Sequence, residues 1–247
     1  MNYRHLALFG LSAIALAGTL IVSVACGDDS SGSGGSTALD PAKADQLAHA
    51  VLPVEKDLPG SGWTVNKTDK FDDSSASANT AACKDIDAKK AAAKAKSDPN
   101  RKGRAEKEYS NAGKGPIPTT VEFEVNVFTD SATPADTLKA FQDAVKSSNF
   151  ETCLKDTLAD SGGQGFKIDI KSGTPAATVP NGGVAAAYDF TITVDKQTFS
   201  LRYETYVWQY SNTGNTVTIG GGKDDVTAAL IKGAIDKTVA NLKSPPK

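Results

Sequence analysis

Histidine is almost missing from this sequence of 247 residues: His5 and His49 are the only two. A hydrolase triad built on histidine would rest on His49 alone, and no Gly-x-Ser-x-Gly elbow supplies a nucleophile. Cysteine is scarce as well. Cys26, Cys83 and Cys153 are too few and too far apart for a zinc site, and Asp72-Asp73 and Asp224-Asp225 lack the pattern of a calcium loop. Gly220-Gly221-Gly222-Lys223-Asp224 lacks the spacing and the Lys-Ser/Thr end of a phosphate loop and reads as a turn before a helix. An excess of charge of one sign is also lacking: the formal net charge is −2, which leaves no electrostatic footprint for nucleic acid or anionic lipid. Glu122 and Glu124 share one strand face, but a glycosidase needs two carboxyls at a defined separation, which spacing along one strand does not establish. The expectation is a protein with no catalytic residue, no metal and no cofactor.

Long apolar runs are limited to one, Leu6 to Val24, preceded by Arg4 and His5. Gly18, Thr19 and Ser23 weaken it, and Gly27, Asp28 and Asp29 follow where a basic stop-transfer cluster would stand, so residues 1–25 read as a signal peptide. Ser23-Val24-Ala25-Cys26-Gly27 resembles the lipobox of bacterial lipoproteins, with Ser23 standing where that motif usually carries an aliphatic residue. The resemblance implies diacylglycerol on the Cys26 thiol. The alternatives are cleavage near Ala25 with plain secretion, or an uncleaved anchor helix. Two acyl chains supply the paired signal of stable anchoring, at about 0.8 kcal/mol per buried methylene. Residues 26–38 are then a lipidated cysteine and a flexible Gly/Ser tether, and residues 39–247 are long enough for a single globular domain. This places the chain on the extracytoplasmic face of a cell membrane, held there by lipid.

With Cys26 assigned to lipid, Cys83 and Cys153 remain as an even pair in an oxidising compartment, and a disulfide is expected; two free thiols are the alternative. Asp40-Pro41 predicts a helix start, and Leu47, Ala50 and Val51 carry it to Pro53. Residues 84–97 predict a solvated helix, and Thr133-Pro134 opens another that ends near Ser148, with Cys153 beyond it. Strand signals run over 104–110, 119–129, 166–171, 184–194, 198–210 and 216–219, with hairpin turns at 195–197 and 212–215. Asp224 or Asp225 would cap a last helix striped by Val226, Leu230, Ile231, Ile235, Val239 and Leu242. The fold class is α+β: an antiparallel sheet with helices packed mainly on one face.

The strand Thr198 to Tyr210 puts Phe199, Leu201, Tyr203 and Val207 on one face and Arg202, Glu204, Tyr206, Trp208 and Tyr210 on the other. Arg202, Tyr206, Trp208 and Tyr210 are candidate ligand-binding residues, since rings beside a cation suit a sugar, peptide or lipid headgroup. The alternative is that another element covers them. The order Leu58-Pro59-Gly60 with Trp63, Cys83 opening a helix, paired strands, a helix before Cys153, and a late strand-turn-strand leading to a final helix resembles the extracytoplasmic sensor domain of mycobacterial PknH-type kinases and its free-standing lipoprotein relatives. The resemblance implies a groove for an extracellular ligand and no catalysis. Those relatives often carry a second disulfide, which this chain cannot form. The expected partner is an envelope ligand (glycan, lipid or peptide), or else an envelope protein on which a structural lipoprotein docks.

Overall fold

A computed structural model describes residues 39–246 apart from 70, 72–76, 114, 163–166 and 195. Residues 1–25, Cys26 and the tether to residue 38 lie outside the described residues, as do Asp72-Asp73 and the first position of the turn expected at 195–197. Among the described residues the α-helices are α1 (Pro41–Val51), α2 (Ala81–Ser97), α3 (Ala132–Val145), α4 (Ser148–Gly162) and α5 (Ala228–Lys243). The strands are β1 (Thr64–Thr68), β2 (Arg101–Asn111), β3 (Thr119–Phe128), β4 (Lys167–Ser172), β5 (Val184–Val194), β6 (Gln197–Tyr210) and β7 (Thr213–Gly222). They form one sheet in the order β1-β2-β3-β7-β6-β5-β4, antiparallel at every pair. The last strand thus sits at the centre, joining the early meander β1-β2-β3 to the late meander β4-β5-β6.

Local chemistry sets the element ends. Asp40 caps α1 by accepting from the Ala42 N–H at 3.0 Å, with Pro41 in the first turn, where its missing N–H costs nothing. Thr80 accepts from the Cys83 N–H at 3.3 Å and so starts α2 three residues earlier than the apolar pattern predicts. The final helix is capped by Thr227, which accepts from the Leu230 N–H at 3.2 Å, and not by Asp224 or Asp225. The β6–β7 hairpin turns on Ser211-Asn212 alone, with Ser211 at a left-handed φ of 53°, so β7 begins at Thr213 and runs through the glycines to Gly222. Cys153 lies inside a helix of its own, α4, instead of beyond the end of α3.

Two apolar clusters lie on opposite sides of the sheet. On one side α2, α3 and α4 pack over β4, β5 and β6 through Ile86, Phe141, Phe150, Leu158, Phe190 and Leu201. On the other, α1 and α5 pack over β2, β3, β7 and β6 through Val51, Val121, Phe123, Val125, Ile219 and Ile231. The side with three helices is the majority face, and the opposite face is covered too. The approach of α1 is close: a Cβ at Gly103 of β2 would lie 2.3 Å from the Ala44 carbonyl carbon, so only glycine admits the helix there. The Cys83–Cys153 disulfide joins α2 to α4, with the two Cα atoms 4.6 Å apart.

Candidate functional site

Alternation along β6 gives its two faces the residues expected, but both faces are covered. Tyr206 is 0% and Trp208 1% exposed; they join the cluster formed with α1 and α5. Part of their cover is an extended strap, residues 173–183, between β4 and β5. Its half-buried Pro175, Ala177 and Val179 alternate with the exposed Thr174, Ala176 and Thr178, and Ala177 and Val179 pack against the cluster. The strap is fastened at polar points. Ala177 N–H donates to the Tyr206 hydroxyl oxygen (3.2 Å), Ala176 N–H to Glu204 Oε2 (2.9 Å), and Arg202 Nη2 to the Thr174 carbonyl (2.6 Å).

Glu204, fully buried, is the centre of this arrangement. Arg202 Nε and the Tyr206 hydroxyl also donate to it, and Arg202 Nη1 reaches Asp189 at 3.1 Å, which in turn meets Lys223 at 2.9 Å. Each charge has a counter-charge and each carboxylate oxygen of Glu204 a donor. Arg202 and Tyr206 are therefore parts of a closed structure, and Trp208, whose indole N–H has no partner among the described residues, is sealed beneath it. None of the three offers an open ring or a free cation to a ligand. Tyr210, half-buried at the end of β6, packs against the same cluster. Burial, and then Glu204, push the Tyr206 hydroxyl well above its usual range, so it stays a donor. The expectation of an aromatic ligand face fails because Ala177 and Val179 of the strap occupy it.

The opposite face differs in kind. Beyond the reach of the apolar helix contacts, β2, β3 and β7 carry a polar surface that is nevertheless largely shielded: Glu106 is 2%, Glu124 7%, Asn126 2%, Thr216 5% and Thr218 6% exposed. Pairing across strands defines a row Lys67, Glu108, Glu122, Thr218 and Thr205, running from β1 to β6. A second row sets Glu106 against Glu124. Two glutamate–glutamate pairs thus stand directly opposite each other on neighbouring strands, an arrangement that weakens a sheet. Cations offset part of it: Lys67 pairs with Glu106, and Arg104 Nε with Glu124 Oε1 at 2.9 Å while its guanidinium lies 3.8 Å over the Phe71 ring. Asn66 donates to Glu108.

Glu122 is left over. Among the described residues no ion pair forms with it; the charge that bears on it most is that of the Glu106 carboxyl, with Lys67 and Glu108 acting less strongly. Burial, and then the charge of Glu106, hold the Glu122 carboxyl well above the ordinary carboxylate range. Tyr203 points at the same place. Its ring lies across Gly220, where a Cβ would come within 3.1 Å of Cδ2, and its hydroxyl reaches the region of Glu122, Thr205 and Thr218. Thr205 and Thr218 bond to each other at 3.3 Å, and the buried Tyr203 hydroxyl makes no hydrogen bond of good geometry among the described residues.

The chain resembles the extracellular domain of PknH. That solved structure, from Mycobacterium tuberculosis, is 14% identical, has a TM-score of 0.49 and matches 81% of this chain and 96% of its own. LpqN of Mycobacterium tuberculosis, described as involved in cell envelope biogenesis, is 14% identical with a TM-score of 0.26 over 53% of this chain and 68% of its own. No family model matches the chain, and no curated protein matches it.

Other residues singled out by the sequence have structural places. His49 closes the C-terminal end of α1 with Nδ1 on the Asp45 carbonyl (2.8 Å) and Nε2 on Asp69 Oδ2 (2.9 Å). Both partners are acceptors, an arrangement that suits the protonated ring, in which both nitrogens donate. Gly220 and Gly221 belong to a strand, not a phosphate loop. Among the described residues no cluster of three or more His, Cys, Asp or Glu could hold a metal ion, and no helix is long and apolar enough to cross a membrane. Sequence alternation places Glu106, Glu122 and Glu124 on one side each of β2 and β3. It carries no sign that Tyr203, two strands away, aims at them; the glycine at 220 is the one trace of that approach.

Proposed function

We propose that this chain is an extracytoplasmic lipoprotein, anchored through Cys26, whose domain binds a polar component of the cell envelope without transforming it. The observation that carries the reading is the shielded polar face of β2, β3 and β7: among the described residues Glu122 forms no ion pair and the buried Tyr203 hydroxyl makes no hydrogen bond of good geometry, which leaves hydrogen-bonding capacity that a ligand would meet. Like-charged pairs across the strands detract from stability and need another reason to be there. The lipobox-like residues 23–27 and the Cys83–Cys153 bridge, of the kind that persists in oxidising compartments, support the location.

The full-length protein in detergent, titrated with soluble fragments and lipids of the cell wall, is expected to show a saturable change in chemical shifts that Tyr203→Phe with Glu122→Gln weakens at least tenfold. Binding that survives this double change would refute the site. For the anchor, an alkynyl fatty acid should label the chain in growing cells and fail to label Cys26→Ser.

A further inference from the structure

The Glu122–Tyr203 site takes a ligand bearing a primary ammonium group, as we infer from the way the same face already holds one. This rests on the binding role proposed above and names the chemistry of its ligand. Lys67 of β1 reaches over the sheet with its ammonium on Glu106, 20% exposed, with Glu122 and Glu108 adding to the field around it. Among the described residues four glutamates meet two cations there, and the partners divide cleanly. Glu106 has Lys67, Glu124 has Arg104 and Asn126, and Glu108 has the Asn66 amide. Glu122 has no ion pair of its own among the described residues, only the charge of Lys67, which Glu106 already holds.

An ammonium has three donors and no acceptor, and the open groups match that inventory. Glu122 offers carboxylate oxygens, Tyr203 a buried hydroxyl oxygen, and Thr218, opposite Glu122 in the register, the lone pair that its bond with Thr205 leaves over. A neutral sugar hydroxyl would bring no charge to set against four glutamates held by two cations. An anion would meet a cluster of four glutamates. Glu122 is half-buried as a residue, so the cluster lies at the border of the shielded face and not in the apolar core.

The charged groups that act on Glu122 are Glu106 and Glu108 of β2 and Lys67 of β1; from β7 it faces the uncharged Thr218, and from β6 the uncharged Tyr203 hydroxyl. The carboxyl that burial and Glu106 keep protonated above the ordinary range would give up its proton as the ammonium arrives. Nothing else in the step changes: one N–H···O⁻ contact forms and one proton leaves to the buffer.

Calorimetry on the full-length protein in detergent tests this with 1,4-diaminobutane, its neutral counterpart 1,4-butanediol, and a neutral cell-wall glycan fragment. Saturable diamine binding, at least tenfold stronger than the diol, with a buffer-dependent heat that reports proton release, is the expected result. Glu122→Gln should weaken the diamine tenfold or more and abolish the proton release. Tyr203→Phe should weaken it several-fold and leave the proton release in place. Diamine binding unchanged in Glu122→Gln overturns the inference. So does glycan binding at Tyr203 without diamine binding, although the binding role then stands. Absence of binding by all three probes overturns both.

Discussion

The sheet separates two buried clusters of the same ingredients, a glutamate with a tyrosine two residues or two strands away, and they are in opposite states. On the strap side, Glu204 has Arg202, Tyr206 and the Ala176 N–H, and the strap is tied down on all of them. On the other side, among the described residues, Glu122 faces a second carboxyl without an ion pair and the Tyr203 hydroxyl makes no hydrogen bond of good geometry. A closed cluster holds a segment in place; an open one stores unmet hydrogen-bonding capacity together with repulsion. What separates them is whether an arginine and a backbone N–H were brought within reach, not the kind of residue buried.

The comparison is broken most sharply by truncating the two glutamates in turn. Glu204→Ala would leave the Arg202 guanidinium to Asp189 and the Thr174 carbonyl, and the Tyr206 hydroxyl and the Ala176 N–H without an acceptor. Loss of one partner from a buried charge pair costs about 3–5 kcal/mol, and urea unfolding should show a loss of that order. Glu122→Ala removes one member of a like-charged pair and should leave stability unchanged or raise it by up to about 1 kcal/mol. Equal losses in both would mean that Glu122 is a structural group.

Next in size is the disulfide, which lies wholly on the side of the open cluster. Joining Cys83 to Cys153 closes a loop with a sequence separation of 70, for which the chain-entropy account gives about 4 kcal/mol as an upper figure. Cys83→Ser with Cys153→Ser should lower the unfolding midpoint accordingly. Hydrogen exchange should quicken in α2 and α4 before it does in the strap. Gly220→Ala is subtler: the new Cβ would press on the Tyr203 ring at 3.1 Å and displace its hydroxyl, while the lost backbone freedom of glycine offsets strain. Diamine binding should fall several-fold with stability changed by less than about 1 kcal/mol.

Strand alternation makes both faces of β6 legible from the residues, and cap chemistry makes most helix starts so. Neither says what covers each face. Tyr206 and Trp208 look like a recognition surface because the segment that hides them, 173–183, has the Gly, Pro and Thr content of a loop; only the spacing of Pro175, Ala177 and Val179 hints at an extended piece lying on the sheet. The open cluster is half legible. Glu122 and Glu124 are visible as one face of β3, but the register that sets them against Glu108 and Glu106, and the ring of Tyr203 crossing Gly220, depend on pairing between distant strands. Cys153 reads as lying outside a helix because Lys146 and Ser147 interrupt the chain there; they join α3 to α4 within two residues.

The smallest effect concerns the edge of the open cluster and its response to pH. Asp69 accepts from the Glu106 N–H at 3.0 Å and from His49, so the imidazole braces the strand that carries Glu106. Partial burial alone would lower the His49 pKa, but the Asp45 carbonyl and the Asp69 carboxylate outweigh it and hold the ring above its ordinary 6.5. A group raised on folding contributes its full stability below the unfolded value of 6.5 and loses it as pH rises through the folded value. The Glu106–Glu122 pair, raised from 4.5, also loses stability with rising pH, starting at that lower value, so the histidine is isolated only by difference. His49→Gln should be less stable than the parent at pH 6, and the gap should close by pH 8.5. With side-chain exposures of 44% and 33%, the gap should stay under about 1 kcal/mol. The closed cluster around Glu204 has no histidine contact among the described residues, so Glu204→Ala should cost the same at both pH values; a cost that varied with pH would show that the two clusters communicate through β6.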